Sequence, residues 1–420
     1  MAMADQPAGK SFKISMLIYD TRYRSMTIQI IMLALFLAGV WWLLDNMYSN
    51  LDELGKRPNF TFLTAPAGYD INQRLIEYSS QSTNARAWLV GLLNTLLIAV
   101  MGCILATILG VAIGVLRLSK NWIVARLMTV YIEVFRNVPL LLLIIFAMSI
   151  FINTFPQPNA FRGEDAAASM YFWDSVAFTN RGWYIPKPVF NTGLEALSDG
   201  SYPLFNLGSK LVFLTFFLSI AGIFFFGKWA SKRQAATGDI LPTFWIKLAI
   251  LIIPTVAVFF IMGKPIVLDY PELKGFNFKG GLHMRNSLIA LWLALSLYTA
   301  AFIAEAVRAG IMAIDKGQTE AAAALGLRPK RIMKLVVLPQ ALRVIIPPLI
   351  SQYLNLTKNS SLAIAVGYMD LTGTLGGITP NQTGRALESI LLLMITYLAI
   401  SLSISMVMNV YNNSVKLKER

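Results

Sequence analysis

Gly222–Lys228 reads G-I-F-F-F-G-K, the opening of a loop whose backbone N–H groups and lysine cradle nucleotide phosphates. Such a loop needs a Ser or Thr next, and a solvated turn between strand and helix. Here Trp229 follows, and both glycines lie in an apolar run. His283 is the single histidine and has no Cys or His nearby in sequence, so no metal centre is expected. One histidine in a loop assembles no Ser/His/Asp relay, and Cys103, the single cysteine, lies in an apolar run as a packing residue. Neither covalent chemistry, ATP hydrolysis nor a bound cofactor is expected. What remains is charge inside or beside apolar runs, which costs about 2.5–3.5 kcal/mol per residue at the bilayer centre and so faces a cavity or a partner. Glu133 with Arg136, and Glu305 with Arg308, stand three apart, on one helix face where opposite charges can pair. Pro139 follows the first pair and removes a backbone hydrogen bond, so the helix is expected to bend there; the pair is either a self-neutralised interfacial one or part of a hinge. Lys358, Asn359, Ser360 and Ser361 form a polar cluster late in an apolar run. They either cap a helix break or line a patch that offers hydrogen bonds to a polar ligand.

These residues need a bilayer to position them. Hydrophobic residues make up 56% of the 420 and charged residues only 14%, with a mean hydropathy of +0.59. A soluble domain carries about 25% charged residues because its surface faces water. Eight runs reach the roughly 17–25 residues that cross the hydrocarbon core, near 26–45, 88–116, 127–153, 210–227, 243–262, 286–304, 340–366 and 387–411. Solid apolar runs such as Leu140 to Met148 exclude the alternation of a β-barrel, so the expected fold is an all-α integral membrane protein. The net charge of +14 reflects basic loops rather than nucleic-acid binding. Lys10, Lys13, Arg22 and Arg24 precede the first run, Arg117, Lys120 and Arg126 follow the second, and Lys228, Lys232 and Arg233 follow the fourth. Residues 305–345 are strongly basic, and Lys416, Lys418 and Arg420 end the chain. The positive-inside rule then puts both termini in the cytoplasm and residues 46–87 and 155–208 outside. The first run is too long for a signal h-region and is expected to remain as an anchor. Gly110 and Gly114 form G-x-x-x-G, which lets another helix approach closely.

Between the sixth and seventh runs lies Asp315-Lys-Gly-Gln-Thr-Glu320-Ala-Ala-Ala-Ala-Leu-Gly326-Leu-Arg-Pro. Asp315 with Gln318 reads as a capping box, the alanines favour helix, and Gly326 before Pro329 stops it. The product is a short, smooth helix on the cytoplasmic side. Glu320-Ala321-Ala322, then Gly326, then Val336, Leu338 and Pro339, at this spacing, resembles the EAA signature of ABC importer permeases, with Val336 in place of the usual Ile. Gly91 to Leu96, Tyr131 to Leu141, Ala304 to Ile311 and Leu338 to Arg343 are similar to permeases for polar amino acids. The early anchor, the large insertion and Thr357 to Ser361 resemble the Q-type subunit of general L-amino-acid permeases.

That resemblance implies a type I, MetI-like importer core with an extra N-terminal anchor and two inserted spans. It divides the chain into 1–87 (cytoplasmic N-terminus, anchor and external segment), 88–411 (the transmembrane domain, interrupted at about 155–280) and a tail, 412–420. It implies a bacterial inner-membrane location, broad L-amino-acid import, and four kinds of partner. These are a second homologous permease subunit, two copies of an ABC ATPase, a periplasmic amino-acid-binding protein and the lipid around the spans. Glu320, Ala321, Ala322, Gly326, Leu338 and Pro339 would couple to the ATPase; Arg136, Pro139, Lys358, Asn359, Ser360 and Ser361 would border the substrate path. The Glu305 and Arg308 pair would position the coupling loop. Family members often carry an acidic residue where this chain has Asn359, and a neutral amide relaxes any demand for a cationic side chain. The rivals are a secondary transporter driven by an ion gradient, which needs intramembrane carboxylates or a broken-helix ion site, and an enzyme acting on lipid-linked substrates. Topology is directly testable. In intact spheroplasts an impermeant thiol reagent should modify Ser175→Cys and spare Ser231→Cys; the reverse pattern overturns the eight-span arrangement.

Overall fold

The computed structural model describes residues 21–415 apart from 56, 164–165, 191–206 and 240. The basic residues Lys10, Lys13, Lys416, Lys418 and Arg420 lie outside the described residues. Among the described residues, seven helices are long and apolar enough to cross a membrane, and a sharply bent pair makes up to eight. Their outward faces carry large apolar side chains such as Phe36, Ile108, Phe146 and Met406, each more than half exposed, as a lipid-facing surface requires.

Helix α1 (Thr21–Glu53) is exposed along its length. The core consists of α2 (Asn84–Arg117), α3 (Trp122–Asn137), α4 (Leu140–Thr154), α7 (Asn286–Met312), α9 (Leu338–Asn359) and α10 (Ala386–Val415). Between α4 and α7 comes a hairpin of α5 (Leu207–Thr237) and α6 (Thr243–Ile261), which pack chiefly on each other. Between α7 and α9 stands the short α8 (Lys316–Ala324).

Helix α7 is the centre: α2, α3, α4 and α9 all pack against it, and most of its apolar span is buried. The G-x-x-x-G pair explains the tightest of these seams. A Cβ on Gly110 would stand 2.6 Å from Ile303 Cβ, and one on Gly114 would stand 2.7 Å from the Ala304 carbonyl oxygen. Gly310 on α7 repeats the device toward α9, where a Cβ would come within 2.4 Å of Ile345 Cγ1.

The third apolar run is not one straight span. It breaks at Val138-Pro139 into α3 and α4, which meet at 107°. Pro139 has no N–H to continue the ladder, and Val138, extended at ψ 132° as residues before proline are, turns the chain. The sequence leads to the expectation of a bend; a full corner is what forms.

Short strands add to the helices. β1 (Ala177–Thr179), β2 (Gly182–Ile185) and β3 (Lys187–Phe190) precede the hairpin; β4 (Ile266–Asp269), β5 (Glu272–Lys274), β6 (Asn277–Lys279) and β7 (Leu282–Arg285) follow it. β2 pairs with β7 and β3 with β4, so the two flanks of the insertion are zipped together at its stem. There His283 stacks on Tyr184 at 4.3 Å between ring centroids, and its Nε2–H donates to the Arg181 carbonyl at 3.2 Å. Burial pushes the imidazole below the ordinary histidine range.

The segment before α2 seals one end of the bundle. Asn94 donates to the carbonyls of Gln73 (2.7 Å) and Met369 (2.8 Å), and Tyr69 bonds Thr379 at 3.0 Å. Buried Glu388 at the start of α10 accepts from the Asn59 backbone N–H (3.1 Å) and from Arg385 (3.3 Å).

The glycine seam yields an expected ranking. Overpacking a tight contact costs about 1–3 kcal/mol. Gly114→Ala should therefore lower the thermal midpoint of the detergent-purified protein, whereas Gly39→Ala, with nothing within 4 Å of the new Cβ, should not. Equal midpoints would show that α2 and α7 separate at little cost.

Candidate coupling surface and translocation path

Asp315 caps α8 by accepting from the Gly317 N–H at 2.6 Å. The expected box with Gln318 does not close: Asp315 bonds the second helical N–H, and the Gln318 side chain makes no return bond. A single-sided cap satisfies one orphan donor and leaves Gln318 exposed. At the other end Gly326 has φ +77°, and the Leu327 N–H reaches back to the Ala322 carbonyl at 3.3 Å. That left-handed residue is where the sequence places the stop.

One alanine of the EAA triplet points inward. Ala322 is buried against Ile332 and Val337, with Ile311, Ile314, Leu327 and Val336 around them. Glu320, Ala321, Ala323 and Ala324 are exposed, and Leu325 is 82% exposed. The result is a low, mostly apolar ridge with one acidic group, fixed from below. Downstream, Met333–Val337 forms a π turn whose final bond runs from the Leu338 N–H to the Met333 carbonyl. Pro339 comes next, so the wide turn absorbs the hydrogen bond that proline cannot make.

Glu305 accepts from both Arg308 (2.7 Å) and Arg117. The sequence indicates the Arg308 half; Arg117, at the last turn of α2, comes from 188 residues away. The bridge ties α2 to α7 beside the start of α8. The Glu133 and Arg136 pair does not form. Arg136 lies over the Phe302 ring at 5.4 Å, and Glu133 accepts from Asn137 at 3.3 Å. The ring of α7 draws the guanidinium away from its helical neighbour and desolvates no carboxylate in doing so.

Lys358, Asn359, Ser360 and Ser361 sit where the α-helix gives way to a 3₁₀ turn, Ser360–Val366, closed by Gly367 at φ +69°. Buried Ser360 donates to the Thr357 carbonyl at 2.8 Å, which is the capping role. Lys358 is exposed, Asn359 and Ser361 are half-buried, and none of the three makes a side-chain hydrogen bond or ion pair among the described residues. Helix α4, beyond the Pro139 corner, packs against the 360–366 turn. No bond joins Arg136 to the cluster. A groove of about 650 Å³ opens nearby between α2, α9 and α10, lined by Cys103, Thr107, Tyr353 and Thr357 among apolar side chains. Thr107 and Tyr353 share a 2.7 Å hydrogen bond there.

Asp370 escapes the sequence reading. It is fully buried, accepting from the Gly373 N–H (2.8 Å) and the Tyr397 hydroxyl (3.0 Å). Tyr397 also lies 3.3 Å from Thr372 and 3.5 Å from Ser360, so one carboxylate links the helix break to α10. The available signal was an acidic residue between two apolar runs, directly after the Gly367 break.

The bundle thus presents one short, shallow helix between two of its long apolar spans. Residues 212–417 match the family described as "Binding-protein-dependent transport system inner membrane component". The chain is 57% identical to the glutamate/glutamine/aspartate/asparagine transport system permease protein BztB of Rhodobacter capsulatus, over 100% of both chains. It is 46% identical to the general L-amino acid transport system permease protein AapQ of Rhizobium johnstonii, over 98% of this chain and 96% of that one. Identity to the Escherichia coli putative amino-acid ABC transporter permease YhdX is 43%, over 94% and 95%. The chain belongs to the amino-acid ABC transporter permeases. Nothing in this membership supports transport driven by an ion gradient.

The three-way bridge makes a directional prediction. Glu305→Gln leaves two guanidinium groups facing each other in a partly buried place, while Arg117→Gln leaves a pair intact. Stripping a charged partner from such a group costs about 1–3 kcal/mol. Thermal unfolding in detergent should rank wild type above Arg117→Gln and Arg117→Gln above Glu305→Gln; inversion of the two variants would remove Glu305 from its central role.

Proposed function

We propose that this chain is one of two homologous permease subunits of an ATP-driven importer that takes up L-amino acids of several side-chain types across a bacterial inner membrane. Two copies of an ABC ATPase dock on its cytoplasmic face, and an external amino-acid-binding protein delivers substrate. ATP hydrolysis belongs to the ATPase subunits. Both termini and α8 lie on the cytoplasmic side, in keeping with the basic loops. BztB is named for four amino acids and AapQ for L-amino acids in general, which supports a broad range here.

The observation that carries the coupling is the form of α8. Its buried side, Ala322, rests on residues from the end of α7 and from the run that enters α9, while its exposed side carries Glu320, Ala321, Ala323, Ala324 and Leu325. A groove in another protein can seat such a helix without bulky obstruction, and its displacement reaches both spans at once. Closure of the ATPases then shifts α8, and α7 and α9 reorient around the path bordered by α4 and the 358–361 turn. Arg136 and Pro139 act there through the corner that sets α4, and Asn359 and Ser361 offer unbonded polar groups to substrate. Glu320→Lys reverses the one acidic charge on the ridge. Gly326→Val forces a β-branched residue to positive φ, where even an ordinary side chain costs about 1–2 kcal/mol. In the assembled complex with saturating binding protein, both should abolish substrate-stimulated ATP hydrolysis while subunit assembly is retained. Full stimulation in assembled variants would refute coupling through α8.

A further inference from the structure

The α5–α6 hairpin carries a basic groove that the transport reading leaves unused. Phe224, Lys228 and Lys232 follow one another at intervals of four along α5 and so share one face. Lys247 reaches the same place from α6. Its Nζ lies 3.3 Å from where a Cβ on Gly227 would stand, so the glycine makes room for the ammonium. The three lysines line a groove of about 740 Å³, whose wall continues into the span as Ile220, Ile223 and Phe224. The Lys228 ammonium lies 4.5 Å from the Phe224 ring centroid, at the boundary of the two halves.

The charges are not balanced locally. Asp239 is the only acidic residue between 207 and 261, and it faces Arg233 at 3.7 Å. Among the described residues none of the three lysines forms an ion pair. Three like charges converging on one groove repel unless an anion enters it. Inorganic anions would satisfy the lysines and have no use for the apolar wall. A phospholipid satisfies both, and basic pockets between membrane helices recognise headgroups in this way.

We propose that the groove between α5 and α6 is a binding site for an anionic phospholipid, its phosphate held by Lys228, Lys232 and Lys247 and an acyl chain lying along Ile220, Ile223 and Phe224. The lipid neutralises the cluster and moors a hairpin that otherwise packs chiefly on itself. The site rests on α5 and α6 crossing the bilayer and is independent of the coupling through α8.

Native mass spectrometry of the full chain in detergent, offered phosphatidylglycerol or phosphatidylcholine with matched acyl chains, tests it. Wild type should retain phosphatidylglycerol about tenfold more than phosphatidylcholine, a difference of about 1.4 kcal/mol. The triple variant Lys228→Gln/Lys232→Gln/Lys247→Gln should lose that preference, and the corresponding triple Lys→Arg variant should keep it. Both variants are compared at equal monodispersity in size-exclusion chromatography. Equal retention of the two lipids by wild type, or an unchanged preference in the Gln variant, overturns the proposal. Displacement of phosphatidylglycerol by millimolar inorganic phosphate would identify a phosphate site and overturn the lipid assignment, whereas retention supports it.

Discussion

The close approach of α2 to α7 is the contact on which the rest of the bundle depends. Between helices in lipid there is no water to expel, so association rests on van der Waals contact and on small residues that admit it. Gly110 and Gly114 let the backbone of α2 meet Ala300, Ile303, Ala304 and Val307 directly. With α2 so close, α7 offers its remaining faces to α3, α4 and α9, and Gly310 brings the last of these equally near. Arg117 then reaches Glu305 because the seam has already brought the end of α2 beside it. Without the seam, that carboxylate would have only its neighbour Arg308.

A second constraint is that backbone groups in a bilayer have no water to bond, so every helix break must be satisfied locally. At Pro139, Pro339 and Pro380 the helix ladder is interrupted in two ways. Before Pro339 and Pro380 it widens into π turns, ending with the Leu338 N–H on Met333 and the Thr379 N–H on Thr374. Each wide turn closes one residue before the proline, and the helix continues. At Pro139 the preceding residue goes extended and the axis turns through 107°. The first device preserves direction. The second creates a corner, which sets α4 against the 360–366 turn.

What was legible in the sequence follows from range. Apolar runs are local and long, so each run finds a helix. Several helices continue past the apolar stretch, α1 to Glu53 and α5 to Thr237, because polar residues extend a helix that hydropathy no longer marks. Gly326 at positive φ follows from a glycine just past an alanine helix. Glu305 with Arg308 is a spacing of three on one helix and forms as expected. Glu133 with Arg136 has the same spacing and does not, because Phe302 on another helix competes for the guanidinium. Nothing in the local spacing separates the two cases. Asp370 and its partner Tyr397 lie in segments whose meeting depends on the whole bundle, and the β2–β7 pairing joins strands about 100 residues apart across the inserted hairpin. Hydropathy marks the spans around such contacts and carries no information about the partners.

The position of α8 gives the proposed coupling a mechanical basis. A helix of nine residues has little stability of its own, because nucleation is costly and few bonds repay it. Its order therefore comes from Ala322 against Ile311 and Ile314 at the end of α7, and against Ile332 and Val337 before α9. A force on the exposed ridge meets two long helices rather than a loop. Helix α7 is enclosed and fixed to α2 by both glycine contacts and the Glu305 bridge, so α2 and α7 respond as one body. Helix α9 is entered through a π turn and carries Pro347 and Pro348, which cannot donate to the carbonyls of Arg343 and Val344. The same push is thus received on one side by a rigid pair and on the other by the helix with the weakest ladder. The proposed coupling therefore places relative movement along α9, whose far end holds Asn359 and Ser360 at the break beside α4.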